Sequence, residues 1–214
     1  MNSTHLYNTT ELENPFTSAD AEPPMDSNTN EPRIAPLDPA EADSQTAAVL
    51  TRREAKWGKV FNVGRTIANA PAIIKMMDAV WDNLCNTSLS SADREVIAMD
   101  LAVSNGCHYC VPAHRYIVHE EYEFDQQTVD AMGRVAKGEM LQGNGRMATM
   151  QRLVRRLAAT KGGLNDDEYE QFQVDGVTPQ QMIETIAEIA HCTVTNYTNR
   201  LARTPHDDFT AKYR

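Results

Sequence analysis

Residues 95–114 read EVIAMDLAVSNGCHYCVPAH. The apolar residues Val96, Ile97, Met99, Leu101 and Val103 recur at the spacing of a buried helix face. Upstream, Leu89-Ser90-Ser91-Ala92-Asp93 supplies a start. Ser90 can accept from the free N–H groups of a first turn, and Asp93 suits the positive end of the helix dipole. Asn105-Gly106 supplies the stop. Cys107 and Cys110 follow at once, and Pro112 belongs in a first helical turn. A new helix is therefore expected over about 108–121.

Outward from this centre the pattern stays helical. Runs are expected over 40–60 and 62–69, with Ala70-Pro71 as a break. Over 72–84, Ile73, Met76, Met77, Val80, Trp81 and Leu84 form the expected buried stripe. Further helices are expected over about 126–137, 144–161, 166–173 and 179–202. Gly138, Gly143-Asn144-Gly145, Gly162-Gly163 and Gly176 separate them, and Thr178-Pro179 opens the last. No alternating run is long enough to propose a strand, so the fold class is all-α.

Residues 1–32 are rich in Asn, Ser, Thr, acidic residues and Pro, with few apolar side chains. Such a stretch buries too little surface to offset the entropy of ordering it, and it reads as a disordered acidic tail. Residues 33–214 then form one domain with a single core. The net charge of −10 argues against nucleic acid or an anionic membrane as partner. Arg152, Arg155 and Arg156 read as a solvated helix face. No segment approaches the ~18 apolar residues of a membrane span, and the start Met1-Asn2-Ser3-Thr4-His5 lacks the marks of a secretory signal. The cysteines, Cys85, Cys107, Cys110 and Cys192, are spaced too unevenly for a disulfide framework. A reducing, cytoplasmic setting with one special pair is the economical reading.

Cys107 and Cys110 at a helix start bring two sulfurs within bonding reach, where free N–H groups and the dipole favour a thiolate. Two other readings stay open. The pair could be half of a zinc site, although Cys85 and Cys192 are remote and His114 plus one more group would have to join it. It could also be two inert buried thiols. His114 lies four residues after Cys110, on the same face and about 6 Å along the axis. Its imidazole exchanges protons near neutrality and could ionise a neighbouring thiol. Glu95 is either a dipole-favoured surface carboxylate or the group that orients His114. Tyr109 could supply a ring wall or a hydroxyl. The attacking sulfur is open as well: in many helix-start pairs it is the first, here Cys107, whereas the spacing to His114 favours Cys110. Cys85 and Cys192 read as small packed hydrophobes. Gly143-Asn144-Gly145 lacks the spacing and strand context of a phosphate loop.

Glu95, then Cys107-x-x-Cys110-x-x-x-His114, resembles the redox signature of the alkylhydroperoxidase D / carboxymuconolactone decarboxylase family. Asn69-Ala70-Pro71, Leu89-Ser90 and Asn199-Arg200-Leu201 are similar to its flanks. The likeness covers roughly residues 33–205. It implies a helical bundle of about eight helices that assembles as a homo-trimer or a multiple of one. It also implies thiol-dependent reduction of a hydroperoxide, with an external thiol or redox protein as reductant and no metal, flavin or nucleotide. By position, Cys110 matches the attacking cysteine, Cys107 the resolving one, and Glu95 and His114 the proton relay. Tyr109 stands where the antioxidant members carry a second His, which puts a full-strength relay in doubt. The family also holds decarboxylases, typically without the cysteine pair. A lyase using His114 and Glu95, and a non-catalytic helical oligomer, are the competing functions.

Overall fold

In the computed structural model, residues 31–214 are described, and no strand occurs among them. The expected acidic tail lies outside the described residues except for Glu31 and Pro32. The chain runs through α1 (Ser44–Trp57), α2 (Asn62–Ile67), α3 (Pro71–Leu84), α4 (Ser91–Ser104), α5 (Cys110–Tyr116), α6 (Gln126–Val135), α7 (Arg146–Thr160), α8 (Asp166–Val174) and α9 (Pro179–Ala202). A short 3₁₀ turn precedes α1, and another, Asp208–Tyr213, closes the chain.

The helix α4 is the hub. It packs against α7 and α9, and also against α5 and α6. Val96, Ile97 and Met99 are completely buried, and they meet Met150, Leu153 and Val154 of α7 and Met132 and Val135 of α6 in the main core. A second cluster joins Val49 and Leu50 of α1 to Ile67, Ile74 and Met77. The start of α4 is capped in both directions. Ser90 Oγ accepts from the Asp93 N–H, and Asp93 Oδ2 accepts from the Ser90 N–H. Ser90→Ala is expected to lower stability by about 1 kcal/mol in denaturant unfolding; no change in midpoint would mean that the cap is redundant.

Several elements differ from the sequence reading, each for an identifiable reason. The expected 40–60 helix is shorter, because Asp43 caps a start at Ser44 and Gly58, at φ +68°, ends it. The buried face of α3 is Ile74, Met77, Asp78 and Leu84, whereas Ile73 and Met76 are exposed. Asp78 takes that place because its carboxylate accepts from Arg52 and Arg53 of α1. The expected 108–121 helix begins at Cys110 and passes at Ile117–Glu121 into a π-helical turn. Nor are the arginines of α7 a merely solvated face. Arg155 grips Asp100, Arg156 pairs with Glu168, and Arg152 with Asp175.

Candidate active site

The site is assembled where α4 ends and α5 begins. Gly106, at φ +59°, lets the chain leave α4 in a left-handed turn, and the Cys107 N–H returns to the Ala102 carbonyl at 2.8 Å. This places Cys107 in the turn before α5 and Cys110 at its first residue, and their sulfurs are bonded to each other. The Cys110 N–H also donates to Cys107 Sγ at 3.2 Å. Both residues are buried, with Ala102, Tyr109 and Ala113 around them.

Glu95 and His114, 19 residues apart in sequence, meet at this point. Glu95 Oε2 lies 2.9 Å from His114 Nδ1, so the ring donates there and keeps Nε2 for other work. Burial opposes protonation of His114, but the Glu95 carboxylate outweighs it by charge and hydrogen bond, with help from Glu188. The imidazole is therefore held above its ordinary pKa. A raised folded-state value means that the pair stabilises the fold fully below the unfolded imidazole pKa of about 6.5, and that this contribution is lost as pH rises through the folded value. Glu95→Gln is expected to cost more stability at about pH 6 than at about pH 9. Urea melts at both values check this, and an equal cost would show that Glu95 does not stabilise the imidazolium.

A cavity of about 170 Å³ opens onto this arrangement. Cys110, Glu95, His114 and Asn199 line it, whereas Cys107 does not. Its apolar walls include Trp57, Val60, Phe61, Trp81 and Ile117. Tyr109 contributes its ring, but its hydroxyl donates to Asp207 and accepts from the Val63 N–H. Burial, and then the Asp207 charge, push that hydroxyl well above the usual phenol range, so Tyr109 acts as a neutral wall.

The helix α9 carries residues that sequence reasoning overlooked. Asn196 and Asn199, both buried, donate from Nδ2 to Cys110 Sγ at 3.2 and 3.3 Å. Glu188 pairs with Arg94 and faces His191 Nδ1 at 3.3 Å, while the Trp81 indole donates to His191 Nε2. Arg94, Glu188 and His191 line the same cavity. A signal existed: Thr185, Glu188, Cys192, Asn196 and Asn199 recur every three or four residues, a buried stripe of polar groups along one helix. Cys85 also departs from its reading as a packed hydrophobe. It is exposed, reaches the cavity, and accepts from Arg94 at 3.6 Å. Cys192 is buried, and burial pushes its thiol well up. Glu188, His191 and Cys192 bring ligand-type atoms within 4.8 Å of one another. Arg94 and Trp81 already engage the carboxylate and the imidazole, which leaves no open ligand set there.

Helices crossing on α4, with a bonded cysteine pair beside a cavity, define an all-helical protein of the alkylhydroperoxidase D fold. Residues 71–136 match the model of the carboxymuconolactone decarboxylase family. Among solved structures it is similar to an alkylhydroperoxidase AhpD core protein, peroxidase-related, from Ralstonia eutropha JMP134. That likeness has 20% identity and a TM-score of 0.71, and covers 84% of this chain and 94% of that one. A peroxidase-related protein from Silicibacter sp. TM1040 is similar at 17% identity and a TM-score of 0.68, over 87% of this chain and all of that one. The debrominase Bmp8 shares the fold at 16% identity and a TM-score of 0.64, over 84% and 95% of the two chains. No curated protein matches the chain. No helix among the described residues is long and apolar enough to cross a membrane.

Proposed function

We propose that the protein is a thiol-dependent hydroperoxide reductase that cycles through the Cys107–Cys110 disulfide. The observation that carries this reading is the placement of Cys110, bonded to Cys107, on a cavity wall shared with the Glu95–His114 pair. Cys110 is the attacking sulfur in this reading, because it lines the cavity and Cys107 does not. In the reduced protein the Cys110 thiolate attacks the terminal oxygen of the hydroperoxide. The O–O bond breaks, the departing alkoxide takes a proton from the His114 imidazolium, and Cys110 becomes a sulfenic acid. The Cys107 thiol then attacks that sulfur, water leaves, and the disulfide forms. An external dithiol restores both thiols by exchange and is itself oxidised. A raised imidazole pKa suits this task, because it keeps a proton available for the alkoxide and a positive charge beside the thiolate.

A lyase using only Glu95 and His114 gives the cysteine pair no role. Turnover of tert-butyl hydroperoxide with dithiothreitol as reductant tests the proposal. Sustained, protein-dependent consumption is expected; none at all, with the thiols fully reduced at the start, would reject it.

Assembly into a homo-oligomer, a trimer or a multiple of one, is part of the same proposal. Ile183, Ile186, Tyr197 and Leu201 of α9 are exposed, as are Ile73 and Met76 of α3. Such apolar area favours burial between subunits. Light scattering at micromolar concentration is expected to report an oligomer, and a stable monomer would refute it.

A further inference from the structure

We propose that Asn196 and Asn199 form a two-donor hole for the Cys110 thiolate, and that the Asn199 carbonyl oxygen holds the O–H of the hydroperoxide under attack. The inference rests on the hydroperoxide reading for its second half only; the first half concerns the thiolate whatever it attacks.

Both amides reach one sulfur. Asn196 Nδ2 and Asn199 Nδ2 lie 3.2 and 3.3 Å from Cys110 Sγ. Cys107 Sγ receives a backbone N–H instead, at 3.2 Å. In the disulfide these contacts are weak. When the bond opens, the sulfur between the two amides takes charge-assisted hydrogen bonds in a buried setting, where they are strongest. Negative charge is thereby favoured on Cys110 rather than on an isolated buried thiol, which burial would keep protonated.

The amides are held in this sense. Asn196 Oδ1 accepts from Asn105 Nδ2 at 2.9 Å, and the Asn105 carbonyl accepts from Arg200 at 2.7 Å. That network turns the Asn196 donor towards the sulfur. Asn199 sits 1% exposed, one helical turn further along α9. Its carbonyl Oδ1 is buried and has no hydrogen-bond partner among the described residues, while Asn199 lines the cavity. A buried acceptor left unmatched by the protein calls for a donor from the ligand. The terminal O–H of a hydroperoxide is such a donor. The same proton remains on that oxygen when the S–O bond forms and the O–O bond breaks, so Oδ1 passes from holding the substrate to holding the Cys110 sulfenic acid. The electron pair comes from the thiolate, and the leaving alkoxide takes its proton from His114. The titratable groups around Cys110 are Cys107, Tyr109 and His114, with Glu95 and Arg94 of α4 and Glu188 of α9 acting on His114; the test alters none of them.

The test uses the reduced full-length protein and two probes of Cys110. Methyl methanethiolsulfonate has no O–H or N–H to offer Oδ1, whereas tert-butyl hydroperoxide has the O–H. Asn196→Leu and Asn199→Leu are each expected to move the midpoint of the thiosulfonate pH profile up by about one unit, a tenfold loss of thiolate below it. Asn196→Asp keeps the acceptor for Asn105 and sets an anion by the sulfur, so its midpoint should rise further; it serves if the leucine variants fold poorly. Asn199→Leu should lose at least another tenfold with the hydroperoxide beyond its loss with the thiosulfonate, and Asn196→Leu should not. Unchanged pH profiles in folded variants would overturn the thiolate hole. Equal losses on both probes for Asn199→Leu would overturn the role of its carbonyl. A wild-type protein that reacts with the thiosulfonate and not with the hydroperoxide would sink the peroxidase reading, and the carbonyl role with it, while the pH profiles still decide the hole.

Discussion

Asp100→Ala is expected to lower the unfolding free energy by about 3–5 kcal/mol, the usual cost of leaving one end of a buried ion pair without its partner. Asp100 is 1% exposed in the middle of α4. Its carboxylate accepts from Nε and Nη2 of Arg155 and from Nε2 of Gln151, which is itself completely buried. Gln151 goes on to accept from the Leu141 N–H and to donate to the Glu139 carbonyl. One carboxylate thus ties the hub helix to α7 and to the loop before it. Removing it strands a guanidinium only 14% exposed and takes one hydrogen bond from a buried amide. Replacing both ends, Asp100→Leu with Arg155→Met, should recover much of the loss, since an apolar pair of similar volume leaves no unpaired charge. A single-variant cost below about 1 kcal/mol in urea unfolding, the level of an exposed pair, would show that Arg155 reaches water instead.

Cys110→Ser is expected to abolish turnover of hydroperoxide, and Cys107→Ser to slow turnover, leaving reduction of the sulfenic acid to the external thiol, without removing the first chemical step. In the first variant the sulfur on the cavity wall is gone. In the second, Cys110 is still ionised and still attacks, but its sulfenic acid finds no neighbouring thiol to condense with. A sulfenic-acid trap such as dimedone should label Cys107→Ser after a peroxide pulse and leave Cys110→Ser unlabelled. The reverse pattern would make Cys107 the attacking residue and shift the role of the cavity.

The backbone was far more legible than the site. Period and punctuation placed α9 over the same residues as the structure, and located α4 to within a residue or two, because Ser90, Thr178 and Pro179 mark helix starts through local hydrogen bonding. Where a tertiary partner outweighed the local pattern, reading failed. Asp78 displaced Ile73 and Met76 from the buried face of α3 because two arginines of α1 satisfy it. Arg155 looked solvated because its partner, Asp100, lies 55 residues away. The cysteine pair and His114 could be read together since each lies about one helical turn from the next. Glu95 was ambiguous, because only the crossing of α4 and α5 brings its carboxylate to the imidazole. Asn196 and Asn199 were invisible as partners of Cys110, nearly 90 residues upstream. No local rule links a polar stripe on one helix to a sulfur on another.

In a hydroperoxide reductase of this design, hydroperoxide oxidises one defined pair of thiols. The most direct measurement is a pulse of one equivalent of tert-butyl hydroperoxide on the fully reduced chain, followed by thiol titration and peptide mapping. Rapid loss of two thiols per chain is expected, with Cys107 linked to Cys110 and with Cys85 and Cys192 recovered as free thiols. A linkage through Cys85 or Cys192, or four free thiols after the pulse, would contradict it.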